Sequence, residues 1–242
     1  ILGIYKKIDV APHARHAKGI NIPYVAQYDE YKFQNCPYHK KRADYIKEYV
    51  PETEEPQRHE LYRITKKHYD KAVYLLQKET GIYVTLRMAE ALAENYAIMR
   101  AYNYIDATIY NIPWFLIYSY NGFPLYHMII RKNTTLYRHL RQLGLDLKDS
   151  KVKGHAYVEN GEGYVLTATN YRYVVDGNDN LNEWLDFSII RPDDTVTDTL
   201  LYVPVDRFSV SVDSYHFGNL INYQNWKPRQ NVLDIAKRYM NP

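Results

Sequence analysis

The chain has 242 residues, 46% hydrophobic and 24% charged, with 31 Lys and Arg against 28 Asp and Glu and 9 His. That is enough apolar chain for one or two cores, which excludes a disordered tail, and a lone cysteine, Cys36, excludes a disulfide-held miniprotein. No apolar run nears the roughly 18 residues that a spanning helix needs, so no membrane span is expected. The unusual component is tyrosine, at 27 against 6 Phe and 3 Trp. Its apolar ring and polar tip suit half-buried positions, subunit contacts and stacking surfaces. The plainer account of the same excess is codon usage in an AT-rich genome.

Residues 1–57 read as an irregular extended arm, because Pro12, Pro23, Pro37, Pro51 and Pro56 interrupt it and leave helical potential only near 40–49. A helical region, 58–153, follows. Leu61, Ile64, Ala72 and Leu75 recur at helical spacing over 60–79, and Gly81 is placed to stop that helix. Thr85 can cap a second helix, with Leu92, Tyr96, Met99 and Asp106 on one face, which is expected to run to about 110. The apolar stretch 112–124 reads as a short strand or buried segment ending in an Asn121-Gly122 turn. Pro124 then opens a third helix along Leu125, Ile129, Leu136, Leu140 and Leu143, closed by Gly144.

Beyond 153 the period changes to two. Segments 155–159 and 164–168 flank Asn160-Gly161-Glu162-Gly163, a hairpin signal, and further strands are expected at 171–176, 184–190, 199–205 and 208–212 before a short helix at 231–239. The expected class is therefore α+β: an arm at 1–57, a helical domain at 58–153 and an antiparallel β domain with a C-terminal helix at 154–242.

Charge is segregated along the chain. Residues 131–153 carry seven Lys and Arg against two Asp, a net of +5, whereas 154–213 carry three against eleven acids, a net of −8. A polyanion is attracted to the first segment and repelled by the second. Basic side chains on one helix can follow a phosphate backbone, with His139 and tyrosines adding hydrogen bonds or stacking. A solvated helix face is the simpler account of the same charges.

For metal chemistry the sharpest pattern is His13-x-x-His16 followed by Cys36-Pro-Tyr-His39, two pairs of ligand types whose spacing lets each pair grip one tetrahedral zinc. Otherwise no cofactor is expected. Gly81-Ile82-Tyr83 matches the opening of the GIY-YIG nuclease motif, but the residues after it read as helix, so no nuclease is assigned. The acidic pairs Asp193-Asp194, Asp176/Asp179 and Glu54-Glu55 fall in expected turns, where such side chains bond their own backbone. The chain has neither a G-x-x-x-x-G-K-[ST] phosphate loop nor a G-x-S-x-G elbow, which disfavours an ATPase or hydrolase and leaves a non-enzymatic reading.

Between Leu61 and Lys153 the chain resembles the small-subunit terminase family of tailed phages. The similar elements come in order: LYRITKKHYDKAVYLLQKETGIYVT, then MAEALAENYAIMRAYNYIDATI, then NGFPLYHM, then LYRHLRQLGLDLKDSKV. The last resembles a leucine- and arginine-rich helix closing on Leu143-Gly144-Leu145-Asp146; Met128 and Leu147 stand near places where the family usually carries proline. The resemblance implies a homo-oligomeric, DNA-binding packaging factor that works with a large ATPase subunit in the host cytoplasm or virion. Duplex DNA would then meet Arg131, Lys132, Arg138, Arg141 and Lys148, and oligomerisation would bury the region of Tyr96, Met99 and Tyr102. Two other readings compete: a virion structural protein such as a head-to-tail adaptor, and a zinc-dependent nucleic-acid-processing protein.

Overall fold

The computed structural model of the chain describes residues 49, 55–104, 106–175, 181–192 and 202–240. Most of the expected arm lies outside the described residues, as do His13, His16, Cys36 and His39 and the acidic pairs Asp176/Asp179 and Asp193-Asp194. The described residues form an α+β fold, as expected from the change of period along the sequence.

Helices α1 (Glu55–Lys67) and α2 (Tyr69–Thr80) replace the single expected helix. The break is at His68, whose ψ of 24° leaves the helical range, and Tyr69 turns into the core, where its hydroxyl donates to the Ala89 carbonyl at 2.5 Å. Gly81 ends α2 at φ 80°, as a left-handed cap should. A β-carbon there would meet Thr134 Cγ2 at 2.6 Å, so the position is closed to side chains on two counts. Helix α3 (Leu86–Ile98) begins as expected, with the Thr85 hydroxyl accepting from Met88 N, but it stops a dozen residues short of 110. Arg100 takes a left-handed conformation (φ 45°) and a single 3-10 turn follows at Ala101–Asn103.

The segment Ile112–Tyr118 is helix α4, not a strand. All seven of its side chains are buried, so no polar alternation distinguishes the two periods in sequence, and Pro113 in the first turn costs no hydrogen bond. The expected third helix is also reassigned. Phe123–Pro124 (β1) and Ile129–Arg131 (β2) are strands, and only Thr135–Gln142 (α5) is helical, capped by the Thr134 hydroxyl. His127 at φ 60° and Asn133 at φ 64° interrupt the helical path that the leucine spacing suggested.

Two antiparallel sheets follow. Strands β3 (Leu147–Asp149) and β4 (His155–Val158) join β2 in the order β2-β4-β3. Strands β5 (Val165–Val175), β6 (Leu181–Pro192) and β7 (Tyr202–Val212) join β1 in the order β1-β5-β6-β7. The Asn160-Gly161 turn therefore links two sheets and closes no hairpin. Glycine is needed at 161 for close approach: a β-carbon would lie 2.9 Å from the backbone of Leu125 and Tyr126. In β5 a bulge between Ala168 and Asn170 switches the inward set from Leu166 and Ala168 to Tyr171 and Tyr173. Helices α6 (Ser214–Asn222), which the sequence reading lacked, and α7 (Gln230–Tyr239) complete the fold.

The boundary expected at 153/154 does not divide the molecule. Strand β2 pairs with β4 and β1 with β5, both across it, and one continuous core runs from Leu61 through Trp114 and Leu185 to Met240. Two buried residues of α2 fasten the C-terminal end to this core. Asp70 accepts from Trp226 Nε1 (2.7 Å) and Arg229 N (3.0 Å), while Lys71 donates to the Ile221 carbonyl at the end of α6 (2.9 Å). Asp70→Ala strands two donors and is expected to lower stability by about 2 kcal/mol. A urea titration followed by tryptophan fluorescence would report the shift, and an unchanged midpoint would reduce these bonds to incidental contacts.

Candidate nucleic-acid interface

The small sheet has one buried and one open face. Ile130, Ala156 and Val158 point into the core. Register puts the alternate residues on the other side: Ile129, Tyr157 and Lys148 lie in one row across the strands, and Arg131 opposite His155 in the next. Gly81 enlarges this face by its left-handed turn, because it sends Ile82 and Tyr83 along the free edge of β2, where Ile82 bridges Ile130 and Tyr83 N donates to the Ile129 carbonyl at 2.9 Å. The Tyr83 ring meets His155 edge-on at 5.6 Å, and His127 stacks over Tyr157 at 5.7 Å. The result is a patch where aromatic rings and cations alternate.

Beside it lies α5. Leu136 and Leu140 face the core, and Arg138 and Arg141, one turn apart, face solvent. His139 does not join them. Its ring stacks on Phe208 at 4.5 Å and its Nδ1 lies 2.8 Å from Asp206 Oδ2, so it ties α5 to β7.

The five cations expected to meet DNA lie on β2, the turn after it, β3 and α5, and they are engaged differently. Arg131 Nη2 donates to the Lys78 carbonyl at 2.8 Å and Arg138 Nη2 to the Thr135 hydroxyl at 3.2 Å. Among the described residues no carboxylate forms an ion pair with Arg131, Arg138 or Arg141. Lys132 is paired with Asp149 (2.6 Å) and Lys148 with Asp146 (3.0 Å); hydrogen bonding to those carboxylates raises both lysines above their usual range and keeps them cationic. The arginines are the cations with most to gain from a phosphate.

Of the residues expected at an oligomer interface, Tyr96 needs correcting, while Met99 and Tyr102 are partly exposed. Tyr96 is fully buried in the chain's own core, with its hydroxyl 3.1 Å from Thr65 Oγ1, and burial pushes its pKa well above the ordinary tyrosine value. The helical stripe that made it conspicuous is the stripe that packs inward. Tyr102 is half-buried against Tyr62 at 4.8 Å, and the Met99 carbonyl accepts from the Tyr49 hydroxyl at 2.8 Å.

The most concentrated polar chemistry in the structure had no sequence signature. Glu183 of β6, Tyr171 of β5, Ser214 at the start of α6 and Trp114 of α4 form a network in which the carboxylate accepts from the Tyr171 hydroxyl, the Ser214 hydroxyl (2.5 Å) and Ser214 N (2.7 Å), and Trp114 Nε1 donates to Ser214 Oγ (2.9 Å). These residues come from four elements distant in sequence. Burial raises the Glu183 carboxyl above its usual range, against the hydrogen bonds from Ser214 and Tyr171. A raised carboxyl beside hydroxyls suits proton transfer, but all four residues are buried, Glu183 to 2% exposure, so the network serves to join sheet and helices. On the outer face of the long sheet, a second polar cluster pairs Arg172 with Asp186 at 2.9 Å, and Ser209 donates to the same carboxylate at 2.6 Å.

Among the described residues no group of three His, Cys, Asp or Glu is placed to hold a metal, and no helix is long and apolar enough to cross a membrane. Comparison with family models, with curated proteins and with solved structures finds no match to this chain.

Proposed function

We propose that the chain is a non-enzymatic, self-associating factor of viral genome packaging that binds duplex DNA through the open face of β2-β4-β3 and the solvent side of α5, alongside a large ATPase subunit. The observation that carries the reading is the set of exposed arginines Arg131, on β2, and Arg138 and Arg141, on the adjoining α5, with no carboxylate paired to them among the described residues. Buried or balanced arginines would have argued for a scaffold. The phosphate contacts come from these arginines first and from Lys132 and Lys148 second, while Tyr83, His155 and Tyr157 lie beside them for sugar and base contacts. The order of elements that resembles the small terminases, Leu61 to Lys153, contains the whole of this face except His155 and Tyr157.

A second reading, a subunit of the virion such as a head-to-tail adaptor, is favoured by a different observation. Tyr110, Tyr202, Tyr215 and Tyr223 are each about half exposed or more, at 49%, 49%, 70% and 54%. Exposed tyrosines suit contacts between subunits. An adaptor should copurify with capsid or tail in fixed stoichiometry.

The packaging reading is tested by anisotropy of labelled duplex DNA with the purified chain over a series of salt concentrations. Five phosphate contacts give a slope near −4.5 in the plot of log affinity against log salt, or roughly a five-hundredfold loss between about 50 and 200 mM. No binding at the lowest salt, or binding that salt does not weaken, would count against it.

A further inference from the structure

Next to the cationic face is a groove of about 440 Å³ between the first turn of α3 and residues 120–129. Its walls include Arg87 and Met88 on one side and Tyr120, Phe123, Tyr126 and His127 on the other, with no carboxylate among the lining residues. Tyr120 and Phe123 lie with ring centroids 4.3 Å apart and Tyr126 and His127 with centroids 3.9 Å apart. His127 belongs to both places: it lines the groove, and its ring stacks over Tyr157 of the open sheet face at 5.7 Å. The backbone at 127 is fixed by His127 N donating to the Val158 carbonyl at 2.8 Å, so the ring is presented by the sheet itself.

We infer that this groove takes one unpaired base of the nucleic acid held on the neighbouring face, an inference that rests on the function proposed above. The volume falls within the range of small-ligand sites. Aromatic walls accept any base by its π-face, whereas a purely apolar groove would suit an aliphatic peptide side chain. Charge points the same way. Arg87 and the N-terminal end of α3, whose cap is Thr85, both favour an anion at the groove mouth, and the phosphate attached to a stacked base supplies one. Continuity through His127 explains how a strand tracked by Arg131 can drop a base into the groove without leaving the surface. The chain is thereby suited to a junction, such as a cut or frayed end, where paired and unpaired DNA meet.

The test compares blunt duplex with a duplex carrying a short single-stranded tail, using the full chain and a 2-aminopurine in the tail. Wild type should bind the tailed DNA about tenfold more tightly, with a change in 2-aminopurine fluorescence on binding. Tyr126→Ala should abolish the preference and the fluorescence change while leaving blunt-duplex affinity and its salt slope intact; Tyr126→Phe, which keeps the ring, should retain both signals. Free deoxynucleoside monophosphate at the same concentration should not compete, and if it does the groove belongs to a free nucleotide and the inference is overturned. Salt-dependent binding of blunt and tailed DNA with equal affinity would overturn it while leaving the proposed function standing. Failure to bind either DNA would remove both.

Discussion

Glu183→Ala is expected to lower the stability of the fold by about 4 kcal/mol, among the largest effects a single substitution in this chain can have. The carboxylate takes three donors in a region closed to water: the Tyr171 hydroxyl, the Ser214 hydroxyl and Ser214 N. Each buried donor left without an acceptor costs about 1–3 kcal/mol. The sum is not reached in full, because Tyr171 and Ser214 oxygens already lie 3.4 Å apart and can pair with each other once the carboxylate is gone. Ser214 N has no such recourse. Glu183→Gln retains an acceptor and should cost about 1 kcal/mol.

The two variants also separate by pH. Burial raises the folded-state pKa of Glu183 above the ordinary value near 4.5, so between that value and the raised one the folded chain holds a proton that the unfolded chain has released. The contribution of this group is therefore full below the ordinary value and is lost as pH rises through the raised one. Urea midpoints measured across that window should fall with rising pH for wild type relative to Glu183→Gln. Trp114, whose indole donates to Ser214, gives the fluorescence readout. Parallel midpoints for the two proteins would mean that Glu183 carries no displaced proton.

The second large effect concerns binding. Replacing Arg138 and Arg141 together by Glu should weaken duplex DNA binding about a hundredfold near 0.1 M salt and make the salt slope shallower by about 2, since two phosphate contacts are lost and two repulsions gained. Both side chains are exposed on α5 and neither packs in the core, so the cost to stability should stay below about 1 kcal/mol, chiefly from acids near a helix C-terminus. Lys237→Glu on α7 changes charge outside the proposed face and should leave affinity nearly unchanged; its side chain is 65% exposed and, among the described residues, is ion-paired only with its helix neighbour Asp234. An equal loss from Lys237→Glu would mean that net charge, and no particular face, governs binding.

Local signals in the sequence were dependable where a single residue decides the outcome. Gly81 ends a helix and Thr85 starts one because one needs a positive φ and the other a hydroxyl acceptor, both of which are written in the residue itself. Leu136 and Leu140 are buried on a helix as their spacing suggests. The failures occur where partners distant in sequence decide. An all-apolar run such as Ile112–Tyr118 carries no alternation, so only its packing between helices and β5 makes it a helix. Asn160-Gly161 has hairpin chemistry, but β4 and β5 already have other partners across the 153/154 boundary. For the candidate interface, charge alone singled out the cations of β2, β3 and α5 and the turn after β2. The aromatic half of the face was invisible, because Tyr83, His127, His155 and Tyr157 meet only through strand register and the turn at Gly81. His139 was misassigned for the same reason: its partner Asp206 is 67 residues away.

The most direct check on the proposed interface is hydrogen–deuterium exchange of the full chain with and without duplex DNA. Protection is expected in peptides covering 81–83, 129–132, 136–142 and 147–157, with the outer face of β5, β6 and β7 unchanged. Protection confined to that long sheet, or none at DNA concentrations that saturate binding, would contradict the assignment.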